Sequence, residues 1–275
     1  MRSYSSIPPP PLQVGETERV KHYAIGDIHG QFEAYTRLLR RAELVDAALN
    51  WSGGDASLWL LGDFVDRGEG GSDTVELTMR LEEQAAAAGG KVQAVIGNHD
   101  LLLLAAWRFP KYRTTYGDTF YEWWQGMGGR KRDLRELDEG AFAWLRQLPA
   151  LIKHESRQVD TLFLHGDCAL YLELGRTVEE VNAAFLKATE SPEELDRLLS
   201  AFAEHGGFEK AGQVTAEAYL KRFGVTRLVH GHTPIDKVTP QKPEEVEQAH
   251  VYHGGRCINV DGGIYRGGPG FVYEL

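Results

Sequence analysis

Five short runs hold most of the side chains in this chain that could do chemistry. They are Gly26-Asp27-Ile28-His29-Gly30, Gly62-Asp63-Phe64-Val65-Asp66-Arg67-Gly68, Gly97-Asn98-His99-Asp100, His165-Gly166-Asp167 and His230-Gly231-His232-Thr233-Pro234. Carboxylates, imidazoles and an amide oxygen are donors that Mn, Fe, Zn and Co ions all accept. Asp27 and His29, two apart on one loop, can reach the same ion. Asp63 is the choice for a carboxylate bridging two ions, Asn98 offers an amide oxygen, and His165 and His232 supply nitrogens to the second ion. One Gly-Asp pair alone would mean little, because both residues crowd turns for conformational reasons. Five runs in this order exceed what turn chemistry explains.

Such donors lie far apart in the chain, so the fold must gather them. Each of the first three runs follows a short apolar stretch, and the spacing predicts strands over 21–25, 57–61 and 91–96. Between them, Phe32, Tyr35, Leu38 and Leu39 predict a helix over 31–43, and Val75, Leu77, Met79 and Leu81 one over 74–88, stopped by Gly89-Gly90. Alternating strands and helices predict a parallel α/β sheet, with the runs at the carboxyl ends of its strands, where open sheets place their sites. Residues 107–150 read as a helical insertion rich in aromatics, from Trp107 to Trp124, that either pack as core or wall a substrate cleft. A strand is expected at 162–164, a helical cap-like insertion over 176–223, and strands at 226–229, 256–260 and 270–274. A site drawn from residues 26 to 234 predicts a single catalytic domain over 19–275, preceded by a flexible proline-rich tail, 1–18, that contains Pro8 to Pro11.

Composition narrows the function classes. The 275 residues are 42% hydrophobic and 25% charged, ordinary for a globular chain, and 30 Lys plus Arg against 40 Asp plus Glu leave a formal charge of −10. That balance argues against a nucleic-acid binder, which relies on clustered positive charge. A phosphate could still be accepted locally, because two bound cations reverse the field in one cleft. The two cysteines, Cys168 and Cys257, form no metal or redox pair and read as reduced thiols. The N-terminus lacks the apolar region of a signal peptide, and no run approaches the ~20 apolar residues of a membrane span. A cytoplasmic protein without membrane contact is expected.

Taken together, GDIHG, GDFVDRG, GNHD, HGD and HGHTP resemble the motif set of the calcineurin-like metallophosphoesterases. Asp66-Arg67-Gly68 is similar to the branch holding serine/threonine protein phosphatases, phage lambda phosphatase and symmetrical diadenosine tetraphosphate hydrolases. The resemblance implies a four-layer αββα sandwich and two divalent or trivalent metal ions, Mn²⁺ or otherwise Fe, Zn or Co. It also implies phosphoester hydrolysis by in-line attack of a hydroxide held between them. It assigns Asp27, His29 and Asp63 to one ion and Asp63, Asn98, His165 and His232 to the other. The GHTP pattern favours His232 over His230, which falls at the strand's end. His99 and Asp66 resemble the family's acid pair, with protonated His99 donating to the leaving oxygen, while Arg67 suits bidentate recognition of phosphate and Asn98 also touches it. Further phosphate-binding arginines are sought among Arg130, Arg132, Arg157 and Arg256. The implied partner is a phosphorylated substrate. A phosphomonoesterase acting on phosphoprotein or small phosphoesters is expected, motivated by the Asp-Arg-Gly run. The alternative is a symmetrical dinucleoside tetraphosphate hydrolase, motivated by Asp100 and the aromatic segment. A non-catalytic metal-binding scaffold is the reading from another class.

Overall fold

Strand, helix, strand, helix, strand opens the chain, as β1 (His22–Ile25), α1 (Phe32–Arg41), β2 (Ser57–Leu60), α2 (Gly71–Ala87) and β3 (Lys91–Ala94). This is a computed structural model, and it describes residues 20–156, 159–210 and 213–275. The proline-rich tail and Arg157 therefore lie outside the described residues. The aromatic segment follows with α3 (Asn98–Arg108), α4 (Phe120–Gly126), α5 (Lys131–Glu136) and α6 (Glu139–Gln147), and then β4 (Leu151–His154) and β5 (Thr161–Leu164). A short α7 (Leu170–Leu174) precedes the second insertion, which holds α8 (Val178–Ala188), α9 (Pro192–Phe202), α10 (Gly207–Lys210) and α11 (Gln213–Phe223). The chain continues through β6 (Arg227–His230), α12 (Ile235–Val238), β7 (His250–Tyr252), β8 (Cys257–Asn259) and β9 (Tyr273–Glu274).

Among the described residues the strands form two sheets, ordered β3-β2-β1-β9 and β4-β5-β6-β8-β7. Strands β1, β2 and β3 run parallel, as do β5, β6 and β8, while β9, β4 and β7 pair antiparallel at the edges. The edge strands β4 and β7 were not foreseen, because such short segments carry no readable period. The two sheets face each other through Ala24, Trp59, Leu61 and Val95 on one side and Phe163, Val229, Ile258 and Val260 on the other. Trp59 stacks on Phe163 at 4.5 Å and 8°. Helices cover the outer faces, so the layers are αββα.

The helices exist because they bury a face, since a helix of about 10 residues is marginal alone. In α1, Tyr35, Leu38 and Leu39 are buried at helical spacing, in one core with Leu58, Leu60, Leu77 and Leu81. Helix α2 starts three residues before the expected Thr74 for a long-range reason. The Ser72 amide donates to Asp133 Oδ1 of α5 at 3.0 Å, so a distant carboxylate rather than a local residue caps the helix. Among the described residues no helix is long and apolar enough to cross a membrane.

Candidate dimetal centre

All the singled-out loops leave the carboxyl ends of β1, β2, β3, β5 and β6, and their backbones are laced together. The amides of Ile28 and His29 both donate to the Asp63 carbonyl, at 3.1 and 2.7 Å, Gly30 donates to Phe64, and Gly68 donates to His29. Asp100 completes the lacing from below. Its carboxylate accepts from the amides of Asp63, Phe64 and Gly97 at 2.8, 2.9 and 2.9 Å. Gly97 must be glycine, because a Cβ there would overlap Asp63. Eight non-glycine residues among those described have left-handed φ, and His29, Asp63, Asp66, Arg67 and His232 are five of them. Each such residue costs on the order of 1 kcal/mol or more, so strain is concentrated where the loops converge.

The convergence gathers acceptors. His29 Nδ1 donates to the Val65 carbonyl at 3.1 Å, His165 Nδ1 to Leu61 at 2.6 Å, and His232 Nε2 to Glu204 at 3.1 Å. A carbonyl only accepts, so in each ring that nitrogen carries the proton. Burial drives all three imidazoles down, His165 to about 3, so the opposite nitrogen is a bare lone pair. Those lone pairs face other acceptors: His165 Nε2 is 3.0 Å from Asn98 Oδ1, 3.1 Å from His232 Nδ1 and 3.5 Å from Asp63 Oδ1. His29 Nε2 is 3.4 Å from Asp63 Oδ2 and 3.7 Å from Asp27 Oδ2. Burial, then Asp261 and Asp63, raises Asp27, and burial raises Asp63 to about 7. Bare nitrogens, an amide oxygen and carboxylates whose charge is costly to bury without a counter-charge fit cations. Asp63 stands in both donor groups, one with His29 and His99 and one with His165 and His232. Carbonyls behind the imidazoles orient them as the outer partners of metal-bound histidines do.

His99 belongs to the first group by position but differs in its bonding. Its Nδ1 is 2.7 Å from Asp66 Oδ2 and its Nε2 is 2.9 Å from Arg67 Nη2. A guanidinium only donates, so His99 Nε2 accepts here, and both ring nitrogens are occupied. Burial lowers His99 to about 4 and raises Asp66 to about 8. The pair thus shares one proton across the 2.7 Å contact, and the donor role that the resemblance implied needs a further proton on Nε2. Trp124 of α4 donates its indole N–H to the other Asp66 oxygen at 2.7 Å. Arg67 also lies over the Tyr265 ring, 3.9 Å from its centroid, and Tyr265 meets the His29 ring edge-on at 4.6 Å.

Asp27, His29, Asp63, Asn98, His165 and His232 therefore come together, with His99, Asp66 and Arg67 beside them. His230 stands apart, its Nε2 2.7 Å from the Tyr252 hydroxyl and its Nδ1 3.0 Å from the Gly231 carbonyl. Among the described residues, the three sought arginines are engaged elsewhere. Arg130 donates to the Arg67 carbonyl and pairs with Glu69 at 3.3 Å, Arg132 pairs with Asp73 and Glu136, and Arg256 pairs with Glu217. Sequence reasoning missed Trp124, Tyr265, Asp261 and His205 as neighbours of the centre. His205 stacks on His232 at 4.0 Å and 7°. Only the aromatic richness of 107–124 hinted at Trp124, and nothing local marked the others.

Comparison with known proteins agrees with this geometry. Residues 21–236 match the calcineurin-like phosphoesterase family. The chain belongs to that family. A symmetrical bis(5'-nucleosyl)-tetraphosphatase of Neisseria meningitidis is 36% identical over 136 residues, which is 50% of this chain and 41% of that protein. The Escherichia coli protein of the same name is 27% identical over 81% of this chain and 71% of its own length. Among solved structures, a cold-active protein-tyrosine phosphatase of a psychrophilic Shewanella superposes with a TM-score of 0.66 at 24% identity, covering 93% of this chain and 75% of that one. The chain thus spans less than half the length of the first curated relatives it matches, and the Shewanella likeness speaks to the calcineurin-like fold.

Proposed function

We propose that this member of the calcineurin-like phosphoesterases is a two-metal phosphomonoesterase. The observation that carries the reading is the set of bare imidazole nitrogens and carboxylates around Asp63, placed beside the Asp66–His99–Arg67 chain. Asp27, His29 and Asp63 would hold one ion, and Asp63, Asn98, His165 and His232 the other. Bound there, divalent ions would supply Lewis-acid polarisation of phosphoryl oxygens and a nucleophile at neutral pH. The protein's own groups do the rest. Arg67, which bonds His99 and lies over Tyr265, is a fork of charge beside the centre and is suited to two phosphoryl oxygens at once. Moving onto the phosphate takes its Nη2 off His99 Nε2, which is then open to take up a proton from water, as an imidazolium opposed by the Asp66 carboxylate, and to pass that proton to the leaving oxygen. Asp66 holds His99 through Nδ1, and Trp124 holds Asp66. The loop after α9 places the Glu204 carbonyl and the His205 ring over His232, limiting water at that side.

Symmetrical dinucleoside tetraphosphate hydrolysis is the second reading, favoured by the names of the Neisseria and Escherichia relatives. Asp100 no longer argues for it, since all three of its hydrogen bonds hold backbone under the centre and none faces substrate. The metal-loaded chain should be assayed on p-nitrophenyl phosphate, a phosphopeptide and diadenosine tetraphosphate. Turnover of the monoesters with little release of ADP supports the proposal. ADP as the dominant product, with the monoesters inert, overturns it in favour of the second reading.

A further inference from the structure

At the opposite pole of the sandwich, on the order of 15 Å from the metal loops by strand rise, lies a cluster that the chemistry above does not use. Registers define it. His22 pairs with Ser57 and Ser57 with Lys91 in one sheet, while His154 pairs with Thr161 and Thr161 with Arg227 in the other. Two residues further along, Ala24, Trp59, Phe163 and Val229 fill the space between the sheets. Side chains alternate along a strand, so both rows of three point into the same inter-sheet mouth. The mouth's rows hold two histidines, a lysine, an arginine and two hydroxyls, with no carboxylate.

Rings confirm the approach across the gap. His22, His154 and Trp59 form a triangle with centroid separations of 5.3, 4.9 and 4.9 Å. Each presents a buried ring nitrogen with no partner among the described residues, namely His22 Nδ1, His154 Nε2 and Trp59 Nε1. Trp59 is 1% exposed, so its N–H cannot reach bulk water. Arg227 is half-buried, donates to Thr161 Oγ1 at 3.2 Å, and like Lys91 has no ion-pair partner among the described residues. Asp160, next to Thr161, spends an oxygen on the Ser156 amide at 3.1 Å.

These observations separate three occupants. An indole nitrogen is a donor only, and two uncompensated cations repel a third, so a metal ion does not fit despite the two imidazoles. Water would satisfy the nitrogens but leave the half-buried Arg227 charge without a counter-charge. We propose that the mouth between the sheets binds a phosphate-class tetrahedral oxyanion, held by Arg227, Lys91, the Trp59 N–H and the His22 and His154 rings. The site is distinct from the dimetal centre and does not depend on the catalytic reading.

Imidazole nitrogen NMR of the full zinc-loaded chain tests this, with His22 and His154 assigned through H22Q and H154Q. Inorganic phosphate should shift both resonances saturably. Affinity should fall on the order of tenfold in Arg227→Gln, the loss of one charge-assisted bond, and by less in the exposed Lys91→Gln. Neither variant should alter inhibition of p-nitrophenyl phosphate hydrolysis by phosphate, which reads the other site. Titration with ADP separates the sources. Tighter binding than phosphate assigns a phosphoryl group on a larger ligand, and equal or weaker binding assigns the free anion. No response of His22 and His154 at phosphate concentrations that inhibit catalysis, or wild-type affinity in both variants, would overturn the proposal and leave water as the occupant.

Discussion

Replacing Trp124 with phenylalanine isolates one contact of the acid pair without touching the substrate or any metal donor. The indole N–H reaches Asp66 Oδ1 at 2.7 Å, in a site where Asp66 is wholly buried and its other oxygen faces His99. A hydrogen bond to a charged group contributes about 1.5–3 kcal/mol. Phenylalanine offers no donor, so the carboxylate form of Asp66 loses that amount, and so does any His99 cation it supports. If the whole loss falls on proton delivery to the leaving oxygen, kcat drops by roughly 10- to 100-fold, at 1.4 kcal/mol per tenfold. The drop should appear only where the leaving group needs a proton. With p-nitrophenyl phosphate, whose leaving group departs as an anion, kcat should stay within a few-fold of wild type. With phenyl or alkyl phosphates the full loss should appear, at unchanged metal content. Trp124 is also core, so thermal unfolding of the variant must be followed, with a cost of about 1–3 kcal/mol expected. Equal losses on good and poor leaving groups would refute the reasoning, because they would reduce Trp124 to a packing residue.

Other perturbations test neighbouring parts. His99→Asn should retain both metals and lose ~10²–10⁴-fold in kcat on poor leaving groups; loss of metal on analysis would instead make His99 a ligand. Asp100→Asn leaves an amide facing three backbone donors, so a melting experiment should show about 2–3 kcal/mol of destabilisation, with both metal affinities weakened. With no cation bound, burial holds Asp63, Asp100 and Asp261 at about 7 and Asp66 at about 8, above their unfolded values. Their contribution to stability is therefore complete at low pH and is lost as pH rises through 7 to 8. His165 at about 3 and His99 at about 4 lie below theirs, so their contribution is complete above the unfolded value near 6.5 and is lost as pH falls toward 4 and 3. Cations bind the deprotonated carboxylates, so the rise in Tm on adding Mn²⁺ should be larger at pH 8 than at pH 6, and an equal rise would contradict these directions.

Much of this was legible because strand-end chemistry is local. A candidate ligand such as Asp27 or Asp63 sits directly after the strand that aims it, so order along the chain already brought out the candidate donors and the parallel core. What could not be read was set by distant contacts. Asp133 looks like one more charge in Arg130-Lys131-Arg132-Asp133, yet it is buried at the start of α2 and fixes where that helix begins. Asp100 looks like a signature of substrate and is a brace for backbone. Trp124 and Tyr265 gain their places beside Asp66 and Arg67 only after two separate excursions return to the sheet ends. The edge strands β4 and β7 exist because a neighbour supplies hydrogen bonds, not because their own residues insist on it.

The central claim is that two cations held around Asp63 drive phosphoester hydrolysis. Its most direct test strips the full chain with chelator, returns Mn²⁺ in measured equivalents, and follows bound metal and p-nitrophenyl phosphate turnover in the same samples. Turnover should rise with the second equivalent, and Asp63→Asn should neither hold two ions nor turn over substrate. Full turnover in the stripped protein, or at one equivalent, would contradict it.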